Sequence, residues 1–498
     1  MPRIYDLMAP AVQRWPDRPF LVTRDGSRNY RQVDEDVRRV AALLHAIEVR
    51  AGDRVAIMTR NRPEFVLVMF ACSMIGATFV PLSPKLRGYQ LRSVLHDMEA
   101  AVLLTADDVE APGAAGPVGS RTRIVPISVV SAAANGHDVP PSLPGDPRSP
   151  AMIMYTSGST AMPKGIVCPN EQVLFAARSI GACLRYRTVD TVLVAVPLSF
   201  DYALYQVLLA GQVGAAVALA DADDIASVLA CAKANRITVL PVVPSLATFL
   251  IRMQARSACL TDVRLVTSTG AVLDEGLADR LRASFPGSDI VPMYGTTECK
   301  RITIMPPAEA KRRPGSVGLP LPATSVKIVD PAGKPVPPAT IGEIVVHGRH
   351  LTAGYWRDPV ATGRAFRRGR DGQRWLYTGD LGYLDQDGYL YFAGRRDDQF
   401  KRRGLRTSAV EIEAAARNVD GVEEAALVMG AGGGDDLHLV VTLDGSVHLT
   451  PEEVLRGLAT RLEPAKIPDR CFVVAALPLS ANGKIDKGAL MRGSEARS

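Results

Sequence analysis

Residues 155–165 read Tyr155-Thr156-Ser157-Gly158-Ser159-Thr160-Ala161-Met162-Pro163-Lys164-Gly165 and directly follow the apolar run of residues 151–154. Glycine lets backbone N–H groups approach an anion closely, Ser and Thr hydroxyls donate further hydrogen bonds, and lysine adds a positive charge. A Walker A loop has glycine before its lysine and Ser or Thr after it, whereas here Pro163 precedes Lys164 and Gly165 follows. The stretch predicts a phosphate-holding loop of another kind; taken alone, it leaves a solvated turn as the alternative.

The composition indicates a globular protein with more than one domain. The chain has 498 residues, of which 47% are hydrophobic, and this exceeds what one core usually holds. The net charge is +6, but both signs are interspersed except for basic patches at residues 364–374 and 395–406. Because aromatic residues do not alternate with these charges, the patches predict a solvated face or small anionic ligands rather than nucleic acid.

Cysteine spacing and the N-terminus predict a cytoplasmic protein. The seven cysteines are scattered without a CxxC pair, which argues against a disulfide framework and suits a reducing compartment. Residues 1–6 lack the apolar core of a signal peptide. Residues 202–220 have the length of a membrane span but contain Gln206, Gln212, Gly211 and Gly214, so we expect a buried helix followed by a short strand and no membrane span.

The order of apolar runs predicts an α/β architecture. Up to about residue 400, short β-rich runs alternate with amphipathic helical patterns, such as a strand at residues 54–58 and a helix at residues 63–75, which is typical of largely parallel sheets. After residue 317, short strands with turn signals predict a small β-rich subdomain. A compact α+β module follows, so we expect two domains, residues 1–394 and residues 395–498.

The loop of residues 155–165 and four later motifs carry a family resemblance. After the loop of residues 155–165 come Met293-Tyr294-Gly295-Thr296-Thr297-Glu298, then Tyr377-Thr378-Gly379-Asp380, and then the basic residues 394–404; Pro478-Leu479-Ser480-Ala481-Asn482-Gly483-Lys484-Ile485-Asp486 nearly ends the chain. In this order they resemble the AMP-forming adenylating superfamily, which comprises acyl-CoA synthetases, adenylation domains of nonribosomal peptide synthesis and luciferases. The resemblance covers nearly the whole chain, from residue 52 to the loop of Lys484.

The resemblance implies a fold and a set of site residues. The implied fold is a large N-terminal domain of parallel-type sheets with a β-barrel-like subdomain, joined by a hinge at Asp397 to a small mobile α+β domain. Lys484 would approach the α-phosphate and the substrate carboxylate, Thr297 would touch the α-phosphate, and Glu298 would hold Mg²⁺. The other implied ATP-binding residues are Thr156, Ser157, Gly158, Ser159, Thr160 and Lys164 at the pyrophosphate, Tyr294 with Gly270, Ala271, Gly295 and Thr296 at the adenine, and Asp380 with Arg395 at the ribose.

The chemistry of adenylation needs such residues. A carboxylate that attacks the α-phosphorus of ATP brings anions together, so positive charge must meet the negative charge of the transition state. Lys484 and Mg²⁺ would supply that charge, and Mg²⁺ commonly takes only one or two protein carboxylates, so Glu298 suffices. Ala161 stands where the family usually has glycine, which would strain the loop if that position required a positive φ.

The residues around Asp201 bear on which acid is activated. The run Pro197-Leu198-Ser199-Phe200-Asp201-Tyr202 is similar to the segment that places an aspartate against the α-ammonium of an amino acid, which favours an amino acid; an aspartate that caps the next helix is the alternative. The implied pocket residues are Tyr202, Tyr205, Met293, Arg301 and Ile302, and the two tyrosines favour a small or planar acid. Lys300 and Arg301 are either a surface pair or a site for a second anion on the substrate.

The resemblance implies a ligase that forms an acyl-adenylate, releases pyrophosphate and transfers the acyl group to a thiol. The acceptor is either coenzyme A or the phosphopantetheine arm of a separate carrier protein, since basic residues 395–406 suit both. Two alternatives stay open: a ligase that passes the adenylate to an amine or another non-thiol nucleophile, and a non-catalytic adenylate-binding protein. A phosphotransferase is disfavoured because the kinase catalytic-loop and metal signatures are missing.

Overall fold

The computed structural model describes residues 3–86, 88–106, 122–132, 145–156, 163–221, 224–369, 372–396, 399–402, 405–430, 436–445, 447–480 and 484–495. Short 3₁₀ helices lie at Ile4–Leu7, Pro307–Glu309 and Pro464–Lys466. The first helices and strands are α1 (Ala9–Arg14), β1 (Pro19–Thr23), β2 (Gly26–Asn29), α2 (Tyr30–Ala46), β3 (Arg54–Met58), α3 (Pro63–Ile75), β4 (Thr78–Leu82), α4 (Gly88–Met98), β5 (Val102–Thr105), β6 (Arg123–Pro126) and α5 (Ser128–Ser131).

The middle of the chain continues the alternation of strands and helices. Its elements are β7 (Pro150–Thr156), β8 (Lys164–Pro169), α6 (Asn170–Leu184), β9 (Thr191–Val194), α7 (Asp201–Val213), β10 (Ala216–Leu219), α8 (Ile225–Ala234), β11 (Val239–Val242), α9 (Pro244–Ser257), β12 (Leu265–Ser268), α10 (Glu275–Ser284) and β13 (Asp289–Tyr294).

Strands then dominate until the last module. The elements are β14 (Thr303–Ile304), β15 (Ser316–Pro320), β16 (Thr324–Val329), β17 (Gly342–Gly348), β18 (Gly354–Tyr355), α11 (Pro359–Ala365), β19 (Phe366–Arg368), β20 (Arg374–Leu384), β21 (Leu390–Arg395), β22 (Gln399–Arg402), β23 (Leu405–Ser408), α12 (Ala409–Arg417), β24 (Val422–Met429), β25 (Leu437–Leu443), α13 (Pro451–Ala459), β26 (Arg470–Val473) and α14 (Lys487–Glu495).

Two large sheets form the N-terminal part. The first has the order β18-β8-β7-β4-β3-β5-β6; its strands β7, β4, β3, β5 and β6 are parallel, and β8 returns antiparallel to β7. In the second, β1, β10, β9, β11, β12 and β13 are parallel. The strands β3, β4 and β5 are nearly all buried, as expected for parallel sheets covered on both faces. The α/β fold with parallel-type sheets is confirmed.

The predicted β-barrel-like subdomain is an open antiparallel sheet. It continues the second sheet from β13 through β14, β15, β21, β20, β17 and β16. Since β16 and β2 are the two ends of this sheet, its described strands close no barrel. The β-rich character is therefore confirmed, but the barrel closure is corrected.

Residues 202–220 form a buried helix and a strand, as predicted. Helix α7 ends at Val213 and is capped by Gly214, whose φ of 76° is a left-handed conformation that glycine adopts easily; β10 follows beside β9. Within the described ranges, no helix is long and apolar enough to cross a membrane.

The last module has hydrophobic clusters on both faces of its sheet of β24, β25 and β26. Alternate residues of the strands point to opposite faces. Leu427 and Leu439 pack in a cluster with residues of α12 and α13, whereas Val428 and Val440 pack with Leu490 of α14. The domain boundary at residue 395 stays a prediction.

Ion pairs attach the last module to α9 and α10. Arg417 Nε lies 2.8 Å from Asp274 Oδ2, and Asp274 also caps α10. Arg252 pairs with Glu423, and Thr248 Oγ1 donates to Glu424 Oε1 at 3.2 Å. These contacts hold the module so that Lys484 faces the N-terminal part of the chain.

Candidate functional site

A hairpin places the two described ends of the phosphate loop beside each other. Thr156 ends β7 and pairs with Lys164, which begins β8. The Lys164 ammonium lies 5.6 Å from the centre of the Tyr355 ring. Ser157, Gly158, Ser159, Thr160 and Ala161 lie outside the described residues, and so does the predicted hinge Asp397.

Glu298 lies next to the same tyrosine. The Tyr355 hydroxyl donates to Glu298 Oε1 at 2.8 Å. Burial and the Glu298 carboxylate raise the pKa of Tyr355, so the phenol keeps its proton and remains a donor. Lys164, Tyr355 and Glu298 therefore form one cluster, in which a cation and a carboxylate flank a shared ring.

The Glu298 carboxylate suits Mg²⁺ by its donor chemistry. Mg²⁺ takes oxygen ligands and keeps several waters, so one protein carboxylate beside substrate phosphates is a common arrangement. The part of the chain that the structure describes contains no group of three or more His, Cys, Asp or Glu side chains that could hold a metal by themselves. A metal bound here would therefore depend on ATP oxygens as further ligands.

Three of the predicted nucleotide residues lie together on strands β13, β20 and β21. The Tyr294 hydroxyl, at the end of β13, donates to Asp380 Oδ2 at 2.6 Å, and Arg395 Nε lies 3.2 Å from Asp380 Oδ1. Asp380 and Arg395 are cross-strand partners on β20 and β21. Burial raises the pKa of Asp380, while the Tyr294 hydrogen bond and Arg395 oppose that rise.

The remaining predicted nucleotide residues are in loops near this cluster. Gly270, with φ of 89°, and the exposed Ala271 follow β12. Gly295 cannot carry a side chain, since a Cβ there would lie 2.1 Å from the Lys300 carbonyl oxygen. Thr296 and Thr297 are half-buried in the turn between β13 and Glu298.

Lys484 reaches the N-terminal part of the site. Its ammonium lies 5.7 Å from the centre of the Phe200 ring, and a Cβ on Gly270 would be 3.4 Å from its Cε. Although much of the residue is exposed, burial of the ammonium lowers the pKa of Lys484; Arg395 lowers it further, and Asp201 and Asp380 oppose this. Lys484 thus interacts electrostatically with the carboxylates of Asp201 and Asp380.

Asp201 begins α7 and already has a cationic partner. Lys300 Nζ lies 3.6 Å from Asp201 Oδ2, and both side chains are buried, at 2% and 8% exposure. Burial acts to lower the pKa of Lys300, but Cys168, Asp201 and Glu298 act to raise it, and the net direction is upward. Lys300 therefore stays charged, and the interpretation of Lys300 and Arg301 as a surface pair is wrong because both are buried.

The predicted pocket residues divide into two groups. Tyr202, Tyr205 and Met293 are buried in the main hydrophobic core, and Arg301 lies 5.0 Å from the centre of the Tyr202 ring. The Tyr202 hydroxyl is fixed by the Thr267 carbonyl at 2.7 Å. Ile302 is fully buried in the separate core of the antiparallel strands, together with Tyr294. Its predicted place in the pocket is therefore not supported by its packing.

Three residues contribute to the site in ways that the sequence did not predict. Tyr355 links Lys164 to Glu298, Phe200 lies under Lys484, and Lys300 neutralises Asp201. Phe200 directly precedes Asp201, a predicted substrate residue, so its position in the sequence could have indicated a place in the site. Nothing in the sequence around Tyr355 distinguishes it from a packing aromatic.

Comparison with known proteins identifies the family. The model of AMP-binding enzymes matches residues 8–356, and that of the AMP-binding enzyme C-terminal domain matches residues 411–484. Feruloyl-CoA synthase of Amycolatopsis sp is 33% identical over 473 residues, covering 93% of both chains.

Solved structures agree with this family. O-succinylbenzoate coenzyme A synthetase of Bacillus subtilis in complex with AMP has a TM-score of 0.85 at 26% identity and covers 97% of both chains. VinN in complex with L-aspartate has a TM-score of 0.70 at 36% identity and covers 79% of this chain and 98% of that one. The chain therefore belongs to the AMP-binding enzyme family and is an AMP-forming ligase that joins an acid to a thiol.

Proposed function

We propose that this chain uses ATP and Mg²⁺ to activate a small carboxylic acid and then passes the acyl group to coenzyme A. The observation that carries the proposal is the position of Lys484, whose ammonium lies beside Phe200 and close to the carboxylates of Asp201 and Asp380. A lysine there can meet the negative charge that develops when a carboxylate attacks the α-phosphorus. In this proposal Lys164 and Glu298 lie at the phosphates of ATP, and Asp380 with Arg395 lies at its ribose.

The proposed reaction has two steps. An oxygen of the acid forms a bond to the α-phosphorus while the bond to the pyrophosphate oxygen breaks. The thiol then loses its proton and attacks the acyl carbon, and AMP leaves. Glu298 would hold Mg²⁺, which supplies positive charge to the phosphates when bound. Lys164 and Lys484 would bind phosphate oxygens, and Asp380 would accept hydrogen bonds from the ribose.

We place acids without an α-amine first among the substrates. Asp201 was predicted to need an ammonium from the substrate, but Lys300 already provides one. The aromatic residues Tyr202 and Tyr205 favour a small or planar acid, and one relative is named for feruloyl-CoA. Amino acids remain the alternative, which a neighbour solved with L-aspartate supports.

Pyrophosphate exchange tests the proposal. The full chain is incubated with ATP, Mg²⁺ and labelled pyrophosphate, and with aryl acids, short aliphatic acids or amino acids in turn. We expect acid-dependent exchange without coenzyme A and an acyl thioester when it is added. Exchange without a coenzyme A product would favour a carrier protein or an amine as the acceptor, whereas no exchange with any acid would contradict the proposal.

Replacing Glu298 with Gln is expected to reduce exchange by at least about 100-fold, because the charge of a metal ion contributes several kcal/mol to the transition state. Tyr355→Phe is the matched control, since it removes only the hydrogen bond to Glu298 and should cost less. Titration of Mg²⁺ in both variants measures the effect. A Glu298→Gln enzyme with the wild-type rate and Mg²⁺ dependence would remove Glu298 from metal binding.

Adenylation is expected to decline at high pH with an apparent pKa below the ordinary 10.5 of lysine. Burial lowers the pKa of Lys484, so its ammonium loses the proton, and with it the positive charge, at a lower pH than a free lysine. The pH profile of kcat/KM for exchange reports this group in the free enzyme. Lys484→Arg should shift the decline to higher pH, and an unchanged profile in that variant would assign the decline to another group.

A further inference from the structure

Arg301 is a buried cation that forms no ion pair with a carboxylate of the described residues. It is 5% exposed, and its neighbour Lys300 is 2% exposed. Lys300 pairs with Asp201 at 3.6 Å, whereas none of the described carboxylates lies within ion-pair distance of Arg301. Isolated charge inside a protein is costly unless it is paired and hydrogen-bonded. Asp201 therefore neutralises one of the two positive charges of Lys300 and Arg301.

The guanidinium of Arg301 also has unused donors. Nη1 donates to Thr269 Oγ1 at 3.3 Å and to the Lys300 carbonyl at 3.1 Å. Nε is buried and makes no hydrogen bond, and the hydrogen bonds that Arg301 makes to described side chains and carbonyls all come from Nη1. Within the described residues, the edge formed by Nε and Nη2 therefore has no partner, and such an edge matches the two oxygens of a carboxylate.

The contacts of Arg301 favour a role in binding the acid rather than ATP. Its guanidinium lies 5.0 Å from the centre of the Tyr202 ring, and that ring meets Phe200 edge-on at 6.3 Å. Lys484 lies on Phe200, at 5.7 Å from the ring centre. A chain of contacts therefore leads from the lysine that would bind the reacting carboxylate, past two aromatic rings, to Arg301.

We propose that Arg301 binds a second anionic group on the activated acid, so that the substrate is a small dicarboxylic acid. The proposal rests on the proposed function, because it assigns one end of the acid to Lys484. The reacting carboxylate would lie at Lys484, and the second carboxylate would accept hydrogen bonds from Arg301. Lys300 stays with Asp201 and keeps that carboxylate from repelling the substrate.

Matched pairs of acids test this inference by pyrophosphate exchange. The probes are butyrate against succinate, valerate against glutarate, and benzoate against isophthalate. We expect the wild-type enzyme to favour the diacid of at least one pair by about 10- to 150-fold in kcat/KM, the range that a hydrogen bond to a charged group provides. Arg301→Met should reduce that ratio by a similar factor, and Arg301→Lys should restore part of it.

Two controls separate recognition from folding. Arg236→Met removes an exposed arginine, paired with Asp262, and should leave the diacid ratio unchanged. Thermal melting and ATP affinity of the Arg301 variants report whether they fold. The inference is wrong if the wild-type enzyme has the same kcat/KM for the monoacid and the diacid of every pair. It is also wrong if Arg301→Met lowers kcat/KM equally for both classes of acid. In either case the proposed function stands. Exchange with no acid of any class would overturn both.

Discussion

Lys484→Ala is expected to lower the adenylation half-reaction by about 10²- to 10³-fold, the loss typical of removing one group that stabilises developing negative charge. Its ammonium lies beside Phe200 and near Asp201 and Asp380, where the acid and the α-phosphate would meet. Transfer of the acyl group from supplied adenylate to coenzyme A should be spared, because that step breaks the bond to AMP and does not require attack on phosphorus. Pyrophosphate exchange and thioester formation from synthetic adenylate measure the two half-reactions separately.

Lys487→Ala is the matched control for this variant. Lys487 begins α14, only three residues further along the chain, and its ammonium pairs with Glu413 at 2.7 Å. We expect both half-reactions to continue in Lys487→Ala at rates close to the wild type. An equal loss of both half-reactions in Lys484→Ala would refute the division of roles between adenylation and transfer.

Asp201→Ala is expected to destabilise the fold by about 3–5 kcal/mol, because it leaves the buried Lys300 ammonium without its partner. The double variant Asp201→Ala with Lys300→Met should recover much of that loss, since it removes both charges together. Chemical denaturation of the wild type, Asp201→Ala, Lys300→Met and the double variant measures the free energies of unfolding of the part of the chain that contains α7. The coupling between the two sites distinguishes a structural ion pair from two independent effects.

The same variants test the earlier hypothesis for Asp201. If its carboxylate binds the α-ammonium of an amino acid, Asp201→Ala should impair amino acids far more than acids without the amine. We expect equal impairment of both classes, because Lys300 is the cation that Asp201 holds. Unchanged stability together with a selective loss of amino acids would contradict the ion-pair account.

Local patterns allowed many elements to be predicted. The strand at residues 54–58 and the helix at residues 63–75 were predicted at the bounds that β3 and α3 have, because an apolar run and a proline at the helix start mark them. The end of α7 before Gly214 followed from the conformational freedom of glycine. The order of the strands and the continuity between the parallel and antiparallel strands depend on pairing between distant segments, which local patterns do not specify.

Only part of the site could be predicted, because some of its contacts join residues that are distant in the sequence. Tyr294, Asp380 and Arg395 were grouped by the family resemblance, and the structure brings them into contact. The pairing of Lys300 with Asp201 joins residues 99 positions apart, so no spacing rule reveals it. The loop residues Ser157 to Thr160 and the hinge Asp397 lie outside the described part, and their roles stay predictions.

Product analysis tests the central claim most directly. The enzyme is incubated with ATP, Mg²⁺, coenzyme A and an acid that supports pyrophosphate exchange, and all products are quantified together. The account predicts AMP, pyrophosphate and acyl-CoA in equal amounts, with none formed when the acid is omitted. Formation of ADP and phosphate, or of AMP without dependence on the acid, would contradict it.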